Sequence, residues 1–392
     1  MRKFVERLTG TNFDFIGDIH GEVGALTSLL SRMKYDSNGN HPEDRKLVFV
    51  GDLVDRGPDS IAVLRLVRHL IEQGNAQMVL GNHELNLICA EKPLGDTLTP
   101  KSKPGNRWFF GQTENMIDTA GSNKNLHPPQ FQRLADDPAR DEITAFLNTL
   151  PLALENDHFR IVHSCWHPKA IDYLKQVDLQ NALGENISLQ DLDRHFAHTI
   201  FNHHGRADKT IAYQLYKQNE HPLKVVSSGL EEPLLAGEPT YFIGGSWRQL
   251  KRTRWWDQYR DKQIVIFGHY WRKMPKNLDA PTVPKRRLEG VPESPPPPKI
   301  FIEAHNQWLG PKQNCMCIDY SVGRRYYERY FGLKPGDSGC FLSSLRCTLR
   351  PTPSEQSSLV LCYDWQLLCD DGMIYELKRI NDNQVSSLGV SH

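Results

Sequence analysis

The sequence lacks both a long apolar run and a secretory signal. None of its 392 residues lies in a window approaching the roughly 20 apolar residues that a membrane-spanning helix needs. The N-terminal stretch, MRKFVERLTG, has no apolar segment of the kind that marks a signal peptide. We therefore expect a cytoplasmic protein with no membrane partner.

An excess of either charge is missing as well. Lys plus Arg and Asp plus Glu number 47 each, so the formal net charge is zero. Proteins that bind nucleic acid usually gather Lys and Arg to neutralise phosphates. The balance gives no overall reason to expect a nucleic-acid partner, although it leaves room for a local basic groove.

Paired cysteine motifs are also absent from the sequence. Its eight cysteines are scattered without CxxC spacing, which argues against a zinc knuckle or a disulfide framework and favours reduced, buried thiols. The composition, 39% hydrophobic and 24% charged, is that of an ordinary globular protein. The length permits one large α/β domain or two modest domains.

Five short apolar runs each end at a glycine or directly at a polar residue of a metal-binding type. They are FDFIG before Asp18, KLVFVG before Asp52, QMVLG before Asn82, FRIV before His163 and QIVIFG before His269. Runs this short and this rich in Val, Ile and Phe are typical of buried strands. If these strands share a sheet, the polar residues emerge together beyond its carboxyl edge, where open α/β sheets bind ligands.

Helical patterns separate the first of these runs. Apolar residues recur at three- and four-residue spacing from Val23 to Met33 and from Ile61 to Ile71. Pro58 and Asp59 suit the start of the second helix, which makes the preceding GDLVDRG a loop between strand and helix. The alternation predicts an α/β fold.

Three motifs carry the chemistry: GDIHG at 17–21, GDLVDRG at 51–57 and GNHE at 81–84, each after a predicted strand. Divalent ions need carboxylate oxygen, amide oxygen and imidazole nitrogen as ligands. Asp18 and His20, one residue apart, can face the same ion from a tight turn, and the two oxygens of Asp52 can bridge two ions. The candidate metal ligands are Asp18, His20, Asp52, Asn82, His163 and His269.

Together and in this order, the three motifs resemble those of the calcineurin-like metallophosphoesterases, and the DRG ending resembles the phosphoprotein-phosphatase branch. The resemblance spans roughly residues 12–272 and implies a four-layer α/β/β/α sandwich with helical insertions. It implies two ions, one bound by Asp18, His20 and Asp52, and the other by Asp52, Asn82, His163 and His269. A bridging water between ions about 3.5–4 Å apart is then acidified to hydroxide. We expect Mn, with Fe, Zn or Ni as alternatives.

The residues beside the ligands suggest how a phosphate is held and cleaved. The guanidinium of Arg56 can hold two phosphate oxygens. His83 is the candidate general acid, with Asp55 as the carboxylate that orients it. The branch commonly uses a further Arg after the fourth motif, where SCWHPK offers none, so Arg272 is the candidate for the second phosphate contact, with Arg248 as an alternative. Asp319 follows a β-like run and is either a site residue or a loop aspartate.

The organisation expected from the resemblance is a single metallophosphoesterase domain over residues 1–392. Covering insertions are expected at approximately 85–150 and 170–260, and C-terminal β strands within 313–380. A Pro-rich segment at 275–299, with PPPP at 295–298, is either a lid or a surface insertion.

The function expected is hydrolysis of a phosphomonoester in a phosphoprotein, a nucleotide or a small phosphate ester. The alternative is a dinucleotide polyphosphate hydrolase or phosphodiesterase, for which Trp255, Trp256 and Trp271 are the candidates to stack on a base. A nuclease is disfavoured by the DRG motif and the neutral charge. A catalytically dead scaffold is disfavoured because all six candidate ligands are present.

Overall fold

Strands and helices alternate along the first 90 residues, as the apolar patterns predict. The computed structural model describes residues 3–90, 106–110, 132–204, 210–243, 246–274, 293–330, 332–350, 360 and 363–377. The strands are β1 (Val5–Arg7), β2 (Phe13–Ile16), β3 (Lys46–Phe49), β4 (Ala76–Met78), β5 (Ala153–Glu155), β6 (Phe159–Val162), β7 (Glu231–Pro233), β8 (Tyr241–Ile243), β9 (Ser246–Arg248), β10 (Leu250–Arg252), β11 (Ile264–Phe267), β12 (Cys315–Cys317), β13 (Ser343–Leu349), β14 (Tyr363–Cys369) and β15 (Ile374–Glu376). The α-helices are α1 (Val23–Arg32), α2 (Ser60–Glu72), α3 (Asn82–Ala90), α4 (Asp137–Leu147), α5 (Pro168–Ala182), α6 (Leu189–His204), α7 (Ile211–Asn219), α8 (Pro222–Ser228) and α9 (Arg325–Tyr330).

The five strands that precede the candidate ligands do not share one sheet. Strands β2, β3 and β4 lie parallel in a six-stranded sheet of order β15-β14-β13-β2-β3-β4. Strands β6 and β11 lie parallel in a five-stranded sheet of order β1-β5-β6-β11-β12. The expectation that these five strands share one sheet is therefore wrong. The sheet that contains β6 and β11 packs against the sheet that contains β2, β3 and β4.

Each sheet packs against the other sheet on one face and against a second apolar core on its other face, because successive side chains of a strand point to opposite faces. On β3, Val48 belongs to the core between the two sheets, whereas Leu47 and Phe49 belong to the core that includes the buried faces of α1 and α2. On β11, Ile266 faces the inter-sheet core and Phe267 faces the opposite side. Because successive strand residues point to opposite faces, fully apolar strands bury both. The expected four-layer α/β/β/α arrangement is confirmed.

Helix α2 begins where the sequence predicts, directly after the GDLVDRG loop. The Asp59 carboxylate accepts a hydrogen bond from the Ala62 N–H and caps the first turn. The helix buries an apolar stripe that includes Ile61, Leu64 and Val67 against the sheet. The start of the helix thus fixes where the loop ends.

Helices and small hairpins occupy the two regions expected to be insertions. Helices α3 and α4 fall within 85–150 or at its start, and α5 to α8 with the β7–β10 and β8–β9 pairs fall within 170–260. Most of the Pro-rich segment, 275–292, lies outside the described residues. Of the C-terminal strands, β12 pairs with β11 in the second sheet, whereas β13 to β15 join the first sheet through antiparallel pairing of β13 with β2. No helix in the described parts of the chain is long and apolar enough to cross a membrane, and the seven cysteines described there are free.

A buried ionic cluster links β2, the strand that leads to Asp18, to β13. The Asp14 carboxylate accepts hydrogen bonds from Arg45, Arg346 and the hydroxyl of Tyr35, and the side chains of Asp14 and Arg45 are fully buried. Burial disfavours the charged form of Asp14, but Arg346 and Arg45 outweigh it and lower the pKa of the carboxyl. The cluster therefore stabilises the fold at neutral pH.

We expect Asp14→Ala to destabilise the metal-stripped chain by about 3–5 kcal/mol, because Arg45 is left buried without its carboxylate. Urea unfolding followed by circular dichroism measures the change. The exposed Arg65–Glu142 pair provides the control, since Arg65→Ala is expected to cost about 1 kcal/mol or less. Because the pKa of Asp14 is lowered, its contribution is present above the ordinary value of 3.8 and lost in stronger acid. Equal losses in the two variants would contradict the proposal that the buried pair stabilises the fold.

Candidate metal centre

The carboxyl ends of strands from both sheets meet at one place. Asp18 and Asp52 follow β2 and β3, and Asn82 begins α3 after β4. From the second sheet, His163 and His269 follow β6 and β11. Except for the half-buried Asn82, these side chains are buried. The fold thus brings the strand-end residues together, although through two sheets instead of one.

The Asp52 carboxylate lies at the centre of the cluster. Its Oδ2 atom is 3.3 Å from Nε2 of His163, 3.7 Å from Nε2 of His20 and 3.8 Å from Nε2 of His83. Its Oδ1 atom accepts the backbone N–H of His83 at 3.0 Å. One carboxylate therefore contacts imidazoles from both sheets, as a bridging ligand must.

Backbone carbonyls orient two of the imidazoles. Nδ1 of His20 lies 3.0 Å from the carbonyl of Val54, and Nδ1 of His163 lies 2.7 Å from the carbonyl of Val50. A carbonyl only accepts, so Nδ1 carries the proton in both rings. In the neutral ring Nε2 is then unprotonated and faces the cluster, which is the form of histidine that binds metals.

The donor atoms fit divalent ions. Among the described residues, Oδ1 of Asn82 and Nε2 of His163 are buried without a hydrogen-bond partner, although buried polar atoms are normally satisfied. Two groups have ligand atoms within 4.8 Å of one another: His20 with Asp52 and His83, and Asp52 with His163 and His269. The Asp18 carboxylate adjoins the first group, with Oδ2 3.9 Å from Nε2 of His20. Two of the expected ligand atoms are thus buried and unsatisfied in the described part of the chain.

The electrostatics of the cluster favour a bound cation. Burial, together with the neighbouring carboxylates of Asp319 and Asp52, raises the pKa of Asp18 well above its usual value. Burial and the charge of Arg56 hold the pKa of His20 well below its usual value, and burial and Arg252 do the same for His269. These imidazoles are therefore neutral at neutral pH and bind a metal without losing a proton.

The backbone at the cluster is strained. Of the eleven non-glycine residues with positive φ in the described chain, seven lie in or beside the cluster. They are His20, Asp52, Asp55, Arg56, His269, Trp271 and Ser321. Such conformations each cost energy and persist only where surrounding contacts hold them, which is typical of functional sites.

A hydrogen-bonded pair of side chains adjoins the Asp52 carboxylate. Nδ1 of His83 donates to Oδ2 of Asp55 at 2.6 Å, and Oδ1 of Asp55 accepts from the indole N–H of Trp108 at 2.6 Å. Arg56 donates to Nε2 of His20 at 2.9 Å and to Nε2 of His83 at 3.2 Å. The structure thus places His83, Asp55 and Arg56 beside the cluster.

Residues 11–273 match the calcineurin-like phosphoesterase family. The chain belongs to this family. Its membership confirms the resemblance carried by the three motifs and places the chain among phosphoesterases, a family that uses divalent metals.

Among curated proteins, this phosphoesterase is similar to an asymmetrical bis(5'-nucleosyl)-tetraphosphatase of Halalkalibacterium halodurans. They are 46% identical over 74 residues, which cover 18% of this chain and 30% of the relative. A symmetrical bis(5'-nucleosyl)-tetraphosphatase of Hamiltonella defensa is 32% identical over 184 residues, covering 43% of this chain and 64% of the relative. The chain thus spans less than two thirds of each of these relatives.

Two solved structures are similar to the chain at low identity. A cold-active protein-tyrosine phosphatase of a psychrophilic Shewanella is 13% identical, with a TM-score of 0.42 and coverage of 96% of this chain and 83% of that chain. A serine/threonine phosphatase from Saccharomyces cerevisiae is 13% identical, with a TM-score of 0.40 and coverage of 97% and 85%. Likenesses this distant carry no argument about substrate.

Arg272 does not reach the centre of this phosphoesterase. Its buried guanidinium donates to the carbonyls of Ala304, Gln307 and Cys317 and lies over the ring of Phe301. Those bonds use the donors that a phosphate would need. The assignment of Arg272 as a phosphate contact is therefore corrected, and Arg248, the alternative, is exposed on β9.

A different arginine, Arg252, lies beside the cluster, where the phosphate contact predicted for Arg272 would be needed. One of its nitrogens donates to the carbonyl of His269 at 3.1 Å, and its guanidinium lies over the rings of Tyr270 and Trp271. Within the described residues, neither Arg252 nor Arg56 has a carboxylate oxygen within 4.0 Å. Two guanidiniums without an acidic partner beside a cluster of ligands suit an anion.

The sequence motifs did not predict a role for Glu84, the last residue of GNHE. Its buried carboxylate accepts the backbone N–H groups of Asp52 and Gly81 on one oxygen and of Leu53 on the other. It thereby holds the loop that follows β3 against the loop that follows β4. Its place within a metal-binding motif was the signal that could have identified it.

The Asp18 carboxylate packs closely against Gly268, where any side chain would collide with it. A Cβ atom at this residue would lie 2.1 Å from Oδ1 of Asp18. We expect Gly268→Ala to displace that carboxylate and to weaken metal binding by about tenfold or more. Isothermal titration of the metal-stripped protein with Mn²⁺ measures the affinity. Gly24→Ala is the matched control, since a Cβ there meets nothing within 4 Å. Unchanged Mn²⁺ affinity in the Gly268 variant would show that Asp18 is not a ligand.

Proposed function

We propose that this chain hydrolyses phosphate esters, phosphomonoesters in the first place, at a centre that binds two divalent metal ions. The proposal rests on the position of the Asp52 carboxylate between imidazoles of both sheets. The proposed ligands are Asp18, His20, Asp52, Asn82, His163 and His269. Manganese is the metal we expect, because oxygen and imidazole ligands in this mixture suit it.

Divalent ions held by these residues would supply an activated water and polarise the phosphoryl oxygens. The contribution of the chain is to hold the phosphate in line with that water. Arg56 and Arg252 are the proposed contacts, because their guanidiniums lie beside the cluster without a carboxylate partner in the described residues. A guanidinium can match two phosphoryl oxygens, and the terminal nitrogens of Arg56 would exchange their imidazole partners for the phosphate.

His83 is the proposed acid that protonates the leaving oxygen. Its Nδ1–H is held by Asp55, which fixes the orientation of the ring and stabilises the imidazolium. Nε2 faces the cluster and accepts from Arg56 in this structure; once protonated, it is the atom that donates to the leaving oxygen. Trp108 occupies the other oxygen of Asp55, so the carboxylate keeps a single orientation.

A dinucleoside polyphosphate is the second candidate substrate, because the curated relatives are named as bis(5'-nucleosyl)-tetraphosphatases. Stacking on a base needs an accessible aromatic ring. Trp255 and Trp256 are buried in the core against Phe267 and cannot serve. Trp271 is the member of the predicted trio that lies half-exposed beside the cluster.

The proposal is tested by hydrolysis of a substrate panel by the Mn²⁺-reconstituted protein. The panel contains 4-nitrophenyl phosphate, a phosphoserine peptide, a phosphotyrosine peptide, diadenosine tetraphosphate and a cyclic nucleotide. We expect faster turnover of the monoesters, and a loss of at least about 10³-fold in kcat for Asp52→Asn, because this residue contacts both halves of the cluster.

Preferred turnover of diadenosine tetraphosphate would select the second candidate. Turnover that persists in Asp52→Asn would contradict the two-metal proposal. Metal content is measured on the same samples, so that loss of activity is compared directly with loss of metal.

The acid step gives a separate prediction for His83→Gln. We expect kcat to fall about 10²-fold or more for an alkyl phosphate, whose leaving oxygen needs a proton, and much less for 4-nitrophenyl phosphate. Metal content should stay at the wild-type value, since His83 is not among the six proposed ligands. Equal losses of kcat on both substrates would assign His83 to metal binding or to structure. Metal binding is a real alternative, because His83 belongs to one of the two groups of ligand atoms.

A further inference from the structure

The indole of Trp271 contacts both proposed phosphate-binding arginines. The guanidinium carbon of Arg56 lies 5.1 Å from the centre of the Trp271 ring system, and that of Arg252 lies 5.9 Å from it. Arg56 comes from the loop after β3, and Arg252 comes from the end of β10. One aromatic ring thus links two cations from distant parts of the sequence.

The backbone of Trp271 is held in a conformation that its side chain disfavours. Its φ is +46°, and that of His269, two residues earlier, is +69°. The Trp271 N–H donates to Oδ2 of Asp319 at 2.9 Å. The Arg272 N–H donates to the carbonyl of Asp319 at 2.8 Å, and the hydroxyl of Ser321 donates to the carbonyl of Arg272 at 2.9 Å. These bonds fix the turn and, with it, the direction of the indole.

Two cations that approach one anion site repel each other and have flexible side chains. An aromatic face attracts a guanidinium by cation–π interaction and limits the conformations that the side chain samples. Arg252 is further oriented by its bond to the His269 carbonyl, whereas the side-chain bonds of Arg56 go only to two imidazoles among the described residues. Trp271 is therefore the contact that the two guanidiniums have in common.

We propose that Trp271, fixed by Asp319, is a positioning residue that holds Arg56 and Arg252 together as one phosphate clamp. The inference rests on the proposed function and deepens it, because it assigns a residue that controls affinity for the phosphoryl group. It also assigns a purpose to Asp319, which lies beyond residues 11–273 that match the family.

The test compares Trp271→Leu with the wild-type protein in the Mn²⁺-loaded state. The readouts are KM and kcat for 4-nitrophenyl phosphate and glycerol phosphate, and the inhibition constant of inorganic phosphate. We expect phosphate to bind about fivefold to tenfold more weakly, because two cation–π contacts are lost. KM should rise by a similar factor on both substrates, with metal content unchanged.

Trp365→Leu is the matched control. Trp365 is half-buried on β14 and packs against Phe159 and Trp308, so its loss removes aromatic packing without touching either arginine. It should leave the phosphate inhibition constant unchanged. Trp271→Phe, which keeps an aromatic face, should restore part of the phosphate affinity, whereas a purely structural role would not distinguish Phe from Leu in this way.

A double-mutant cycle separates action through the arginines from direct contact with substrate. In the Arg252→Ala background, Trp271→Leu should weaken phosphate binding by a clearly smaller factor than in the wild type. Additive effects would overturn the proposal. So would a loss confined to 4-nitrophenyl phosphate with unchanged phosphate inhibition, since that pattern means stacking on the leaving group.

The outcome also distinguishes this inference from the proposed function. A wild-type protein that binds Mn²⁺ but hydrolyses neither substrate would overturn the proposed function and this inference with it. Wild-type turnover together with an unchanged phosphate inhibition constant in Trp271→Leu would overturn the inference alone.

Discussion

The burial of several carboxylates in one place is the constraint on which the rest of the structure depends. Asp18, Asp52 and Asp319 are all nearly inaccessible to solvent, and burial with mutual repulsion raises the pKa of Asp18. Backbone N–H groups offset part of this cost: His269 donates to Asp18, and Trp271 donates to Asp319. The remaining negative charge and the neutral imidazoles around it are suited to divalent cations, which supply what the hydrogen bonds do not.

That constraint explains the unusual backbone of the loops. To direct carboxylates and imidazoles from five strand ends toward one point, the chain must turn sharply at once after each strand. Left-handed conformations at His20, Asp52 and His269 accomplish these turns, and Gly81 lets the Asp52 carboxylate approach, since a Cβ there would lie 2.2 Å from Oδ1 of Asp52. Glu84 then fixes two of the loops by accepting their N–H groups. The strain is local and is held by bonds between loops.

The sequence predicted the strand ends well and the side-chain directions beyond them poorly. A strand-end residue is specified by a local apolar pattern, which is why the candidate ligands are found where the runs end. Arg272 comes three residues after His269, but the turn between them directs its guanidinium toward the carbonyls of Cys317 on β12 and of Ala304. The sequence pattern contains no information on that turn. Arg252 reaches the centre through the β7–β10 pairing, a long-range contact that no local spacing indicates.

The same distinction separates the general chemistry of the site from its selectivity. The proposed ligands come from segments within the family match, and a metal centre built on them would serve any phosphate ester that reaches it. The contacts that shape the approach come from other segments. Trp108, in a segment expected as a covering insertion, holds the carboxylate that orients His83, and Asp319, beyond the family match, holds the turn that carries Trp271. These contacts act on the proposed acid and the proposed phosphate-binding arginines, so on the proposed function they bear on leaving-group and phosphate recognition without altering the proposed metal ligands. On the proposed function, substrate choice would therefore depend on residues whose positions are set by long-range packing.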